Sequence, residues 1–142
     1  MEIGTRDTSN VDRTAIDELT RAFFGAFTNI GGVAPNLDVL YELLLPEAII
    51  IKNVEAVPVV YDVNGFVEPR RTLLTDGSLA DFSEEETIER TEVFGNIAQR
   101  FSCYKKSWTA QEASFSCSGT NSFQFVRTSA GWKIASVVWD DN

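Results

Sequence analysis

A chain of 142 residues with a formal charge of −9 has the size of one ordinary domain, and its acidity opposes binding to a phosphate backbone. Its apolar content of 44%, with ten Phe and three Trp, suffices for a packed core and argues against disorder. The absence of His removes His-based metal sites and Ser-His or Cys-His triads, so any catalysis rests on carboxylates, Tyr, Arg, Lys, or a Cys or Ser activated in another way.

Residues 1–10 are polar, mixed in charge and without the apolar stretch of a signal peptide, and they read as a loose arm on a single domain spanning residues 1–142. Ile16, Leu19, Phe23, Phe27 and Ile30 recur at helical spacing, which predicts a helix over residues 11–29, capped by Ser9 or Asn10 and stopped by Gly31-Gly32. Asn36 caps a second, shorter helix carrying Leu37, Leu40 and Leu44, which Pro46 ends. Residues 48–52 and 59–63 are β-branched runs and read as strands. Residues 66–75 turn helical again, with Pro69 expected in the first turn and Asp76-Gly77 as the exit. The run Glu84 to Glu86 reads as a solvated strand entry. Four strands follow over residues 86–94, 97–108, 115–127 and 132–139, joined by a two-residue Gly95-Asn96 turn, a polar turn near residues 109–112, and a turn over residues 128–131. No apolar run approaches the length of a bilayer span, and the expectation is a cytoplasmic protein with no membrane or nucleic-acid partner. Cys103 and Cys117 are too few for a disulfide framework or a Cys-based zinc site, and they read as reduced thiols.

Three stretches carry a resemblance. "NLDVLYELLLPEAIII", "RTEVFGNIAQRFSCYKKSW" and "GTNSFQFVRTSAGWKIASVVWDD" resemble, in order and spacing, the second helix with its first strand, the central hairpin and the closing hairpin of the nuclear transport factor 2-like superfamily, in its bacterial SnoaL-like and ketosteroid-isomerase-like branch. The resemblance covers residues 11–140. It implies an α+β, cone-shaped (cystatin-like) fold, with N-terminal helices packed on a curved antiparallel sheet around a deep pocket, and frequent dimerisation through the sheet. It implies no single chemistry, since the fold hosts isomerases, dehydratases, cyclases, epoxide hydrolases and non-enzymes.

Alternation assigns side chains to faces. Pairing across Gly95-Asn96 sets Glu92 opposite Gln99 and Arg90 opposite Phe101. A three-residue turn after Trp108 would set Gln99 opposite Asn121 and Cys103 opposite Cys117. The last turn would set Phe125 opposite Ile134, Phe123 opposite Ser136 and Asn121 opposite Val138. The inner face would then carry Ile88, Ile97, Phe101, Phe115, Phe123, Phe125, Ile134 and Val138, with Arg90, Glu92, Gln99, Asn121, Ser136 and Asp140 as its polar groups. The other parity, with Tyr104, Trp108 and Trp139, becomes the candidate dimer surface of a homodimer.

Two function classes stand. In one, the domain is an isomerase, dehydratase, cyclase or epoxide hydrolase for a small apolar substrate, with Glu92, Arg90 and Asp140 as candidate catalytic residues and no cofactor or metal. The Arg90–Glu92 spacing resembles that of the epoxide-hydrolase branch. In the other, Gln99, Asn121, Phe101, Phe123, Ser136, Val138 and Tyr61 hold an apolar molecule with one or two polar groups, without chemistry, or the domain is a dimeric assembly module. The competing structural reading, which the residues favour, makes Arg90–Glu92 a surface ion pair and Gln99–Asn121 a cross-strand amide pair. Phe123 falls where the ketosteroid-isomerase branch has a protonated Asp, which argues against steroid isomerisation.

Overall fold

The computed structural model describes residues 9–142. Helix α1 (Ser9–Gly25) begins inside the stretch read as a loose arm, the rest of which lies outside the described residues. Ile16, Leu19, Phe23 and Phe27 are buried as their spacing predicts, whereas Ile30 is half exposed. The helix stops at Gly25, short of the Gly31-Gly32 pair, and Asn29 fixes the chain just beyond it. The Asn29 side chain donates to the Leu74 and Leu79 carbonyls, both at 2.8 Å, and accepts from the Phe82 amide at 2.6 Å. These bonds pull the backbone off the helical path before Ile30.

The second helical segment is short: a 3-10 turn at Leu37–Val39 followed by α2 (Leu40–Leu43). Strand β1 (Leu44–Lys52) starts before Pro46 rather than after it. Pro46 is tolerated because the ladder between β1 and β6 (Gly131–Asp141) slips between Leu44 and Ile49, and a bulge needs no N–H there. Strand β2 (Val59–Tyr61) leads to α3 (Val63–Thr75), whose cap is Asp62: its carboxylate accepts the Gly65 N–H at 2.7 Å. Pro69 therefore lies in the second turn of α3, not the first, and its ring nitrogen has no hydrogen to donate back to Gly65.

Strands β3 (Ala80–Phe94), β4 (Ile97–Ala110), β5 (Ala113–Thr128) and β6 form long hairpins, each longer than the apolar pattern alone suggested. They make a six-stranded, curved, unclosed sheet in the order β2-β1-β6-β5-β4-β3, mostly antiparallel, with β1 and β6 parallel. α1 and α3 cover its concave face. Phe123, sealed at 0% exposure, meets Phe23 edge to face at 5.3 Å and stacks on Phe125 at 5.6 Å, so helix and sheet share one core.

Register decides which side chains reach that core. The Gly95-Asn96 turn is as expected, with Arg90 opposite Phe101 and Glu92 opposite Gln99. The next turn is not. It has two residues, Gln111 and Glu112, both in the left-handed region, and it sets Gln99 opposite Gln124, Ser102 opposite Asn121 and Cys103 opposite Thr120. Against the three-residue reading this is a slip of three positions. An odd slip turns every side chain of one strand to the other face. Ile88, Ile97 and Phe101 consequently lie on the convex face, each more than half exposed, and Tyr104 is buried in the concave one. A second irregularity, between Gln124 and Phe125, inserts Ala135 as an extra residue. Ile134 stays opposite Phe125, but Phe123 faces Val137 and Asn121 faces Trp139.

Candidate functional site

Beneath α3 the concave face holds a cavity of about 390 Å³. Phe23 and Phe27 of α1, Phe66 and Leu74 of α3, Phe82 of β3 and Trp139 of β6 make most of it apolar. Phe66 bridges the two sides, edge-on to Phe27 at 6.0 Å and to Trp139 at 5.9 Å. Asn29 holds the rim together, since the backbone carbonyls it binds belong to the wall residues Leu74 and Leu79.

Into this aromatic box project Glu84, Tyr104, Lys106, Arg70, Lys52 and Asn121. Glu84 and Lys106 are cross-strand partners on β3 and β4. The Lys106 ammonium lies 3.4 Å from Asp141 rather than on Glu84, and the Tyr104 hydroxyl donates to the same Asp141 carboxylate. Among the described residues no ion pair reaches Glu84. Burial pushes its carboxyl up to about 7; Asp141 adds to the rise, while Lys106 and Arg70 oppose it. Burial, then the bond to Asp141, raises the Tyr104 phenol above its ordinary value, so it remains a proton donor.

Glu84 also lines a second, acidic cleft on the far side of α1, with Asp17, Glu85, Glu86 and Glu89. There Arg100, its side chain only 3% exposed, binds Glu86 through two nitrogens and Asp17 at 2.6 Å, tying α1 to the sheet. Glu84 thus stands in the wall between an aromatic cavity and an acidic cleft. Among the described residues no group of three acidic or thiol side chains is placed to hold a metal ion.

Of the residues expected to form the site, Asn121, Phe123 and Tyr61 lie on the concave side: Asn121 and Tyr61 line the cavity, and Phe123 packs beneath it. The others do not meet there. Arg90 and Glu92 are exposed on the convex face, where Glu92 accepts from Gln99 at 2.7 Å and Arg90 lies over Phe101 at 5.7 Å. Ser136 and Val138 are turned to the convex side by the Ala135 insertion, and Asp140 is exposed opposite Thr120. The aromatic residues assigned to a convex dimer surface are inward instead: Tyr104 and Trp139 line the cavity, and Trp108 stacks between Phe82 and Phe115. Cys103 and Cys117 are free thiols on opposite faces, not partners.

Sequence reasoning passed over Glu84 and Arg70. Both left a signal. Phe82 and Glu84 alternate on one parity, and Arg70 follows Phe66 by four residues on the apolar side of α3.

No family model matches the chain, and no curated protein matches it in sequence. Solved structures do match in shape. A nuclear transport factor 2-like superfamily protein from Salmonella enterica aligns at 14% identity and a TM-score of 0.73, covering 93% of this chain and 91% of its own. A candidate scytalone dehydratase from Novosphingobium aromaticivorans aligns at 11% identity and a TM-score of 0.78, covering 96% and 87%. A candidate calcium/calmodulin-dependent kinase II association domain from Exiguobacterium sibiricum aligns at 12% and 0.65, covering 100% and 97%. The chain has the nuclear transport factor 2-like fold.

Proposed function

We infer that the cavity takes a small, largely apolar molecule and that Glu84 moves a proton on it, in an isomerisation or a dehydration. The observation that carries this reading is the placement of an unpaired carboxyl in an aromatic cavity, where burial holds it near neutrality. A carboxyl of that kind accepts and returns a proton near neutral pH. Glu84 would take a proton from the carbon beside a carbonyl. It would then return that proton two carbons away, or hand it to a departing β-hydroxyl, which leaves as water and restores the carboxylate. Tyr104, its one O–H held by Asp141, stands in the same wall with its phenol oxygen turned to the cavity rim as an acceptor. The dehydratase named among the fold neighbours supports a reaction of this class.

Incubation in D₂O with a panel of small β,γ-unsaturated ketones and β-hydroxy ketones tests it. Conjugated ketone should form with the wild-type protein, with deuterium incorporated in the isomerisation at the carbon that receives the proton, and should not form with Glu84→Gln. Equal conversion by both proteins refutes the assignment.

A second reading, of a dimeric assembly module, is favoured by the convex face. Ile88, Ile97 and Phe101 are exposed there at 66%, 57% and 51%, and such a patch suits a second copy of the chain. The association domain among the fold neighbours supports it.

A further inference from the structure

The charge of the cavity opposes that of the protein. The chain carries 12 Lys and Arg against 21 Asp and Glu, yet among the described residues the cavity wall takes Lys52, Arg70 and Lys106 and one acid, Glu84. Lys106 is committed to Asp141 at 3.4 Å. Arg70 and Lys52 are in no ion pair among the described residues. Arg70 is instead held by aromatic rings: its guanidinium carbon lies 4.0 Å from the centre of Phe66, 5.5 Å from Tyr61 and 5.6 Å from Trp139. One nitrogen, Nη1, donates to the Phe66 carbonyl at 3.0 Å. Stacking uses the faces of a guanidinium and leaves its edge donors free.

Holding an unneutralised cation in a half-dry site opposes burial, as the lowered pKa of Arg70 records; desolvation is the main cause. That arrangement is suited to a ligand which brings the missing negative charge. Lys52 stands beside Trp139 in the β1–β6 ladder, so both cations flank the same indole.

We propose that the molecule bound in this cavity is an apolar or aromatic carboxylate, its acid group seated on Arg70 and Lys52 and its apolar body between Phe66, Trp139 and Phe82. This rests on the reading of the cavity as a ligand site and adds the charge of the ligand to it. The planar fork of Arg70 matches two carboxylate oxygens, and Lys52 adds a point charge. Glu84, on the opposite strand edge, then meets the body of the ligand rather than its acid group.

Two probes of one shape separate the possibilities: 2-naphthoate and 2-naphthamide, titrated into the wild-type protein, Arg70→Gln and Lys52→Gln, with the Trp139 indole N–H resonance as the reporter. The acid is expected to bind wild type at least about tenfold tighter than the amide, to lose that advantage in Arg70→Gln and to lose a part of it in Lys52→Gln. The exposed position of Lys52 keeps the second variant folded if the first fails. Equal binding of acid and amide to wild type, with the Trp139 signal shifting, overturns the acid-group assignment and leaves the cavity as a ligand site. An advantage of the acid that survives both substitutions overturns it as well. If neither probe moves the Trp139 signal, the cavity reading falls too.

Discussion

Arg127 reaches back to Asp12, 115 residues earlier in the chain, and sets its Nη1 2.6 Å from the carboxylate. Trp132 donates its indole N–H to the same Asp12 oxygen at 3.2 Å, and Arg127 lies over the Trp132 ring at 5.0 Å. The Asp12 side chain is 5% exposed, so it is a buried anion fully served by partners from the closing hairpin. Asp12→Ala should cost about 2–4 kcal/mol, because it leaves a buried indole donor and two edge nitrogens of Arg127 without their partner. Urea unfolding checks this; a loss below about 0.5 kcal/mol would mean the contact is surface decoration.

Glu84 makes stability depend on pH in a direction its charge alone would not suggest. Its folded pKa, about 7, lies above its ordinary 4.5. Below the lower value both states are protonated and the folded state bears no penalty. As pH rises from there the unfolded chain ionises first, so stability falls, and the loss is complete above about 7. Glu84→Gln lacks this titration. Its stability relative to wild type should rise across that window, by on the order of 3 kcal/mol at the upper end. A difference between the two proteins that stays flat with pH would place Glu84 in water.

Gly119 is where β5 passes under Tyr104. A Cβ at that position would collide with the hydroxyl end of Tyr104, 2.5 Å from its Cζ, and lie 2.6 Å from the Asp140 carbonyl. Gly119→Ala should therefore expel Tyr104 from its bond to Asp141 and cost about 2–3 kcal/mol. Thermal unfolding measures the loss. Because Tyr104 lines the cavity, the same variant should weaken naphthoate binding.

The convex face predicts association. Ile97→Asp or Phe101→Asp places a charge in the middle of the exposed apolar row and should raise the dimer dissociation constant at least about tenfold without altering the monomer fold. Sedimentation equilibrium decides the matter, and a wild-type protein that stays monomeric at all concentrations refutes the idea.

The fold was legible because its elements are signalled locally. The Phe23–Phe27 spacing gives α1, and Gly95-Asn96 pins the first long hairpin to the residue. The site was less so, because it depends on parity summed over several turns. Gln111 and Glu112 adopt left-handed conformations that Asn and Gly ordinarily mark, so nothing in those residues announces a two-residue turn. Ala135 is a bulge without a bulge residue. Each error flipped a strand, which sent Glu92 and Gln99 to a pocket they do not face. Phe123, whose neighbours Phe125 and Asn121 share its parity, kept its side through both slips. Glu84 was hidden by composition: three consecutive acids look solvated, although alternation drives only the first and third inward.

A chain without histidine also keeps simple proton books. Among the described residues, Glu84 is the side chain that burial carries into the range between mildly acidic and neutral pH. An anion entering the cavity would draw a proton from solution onto Glu84, and the heat of that capture varies with the ionisation enthalpy of the buffer. Calorimetry of one ligand in phosphate and in an amine buffer would therefore count protons at a single identified atom pair, with no imidazole background to subtract.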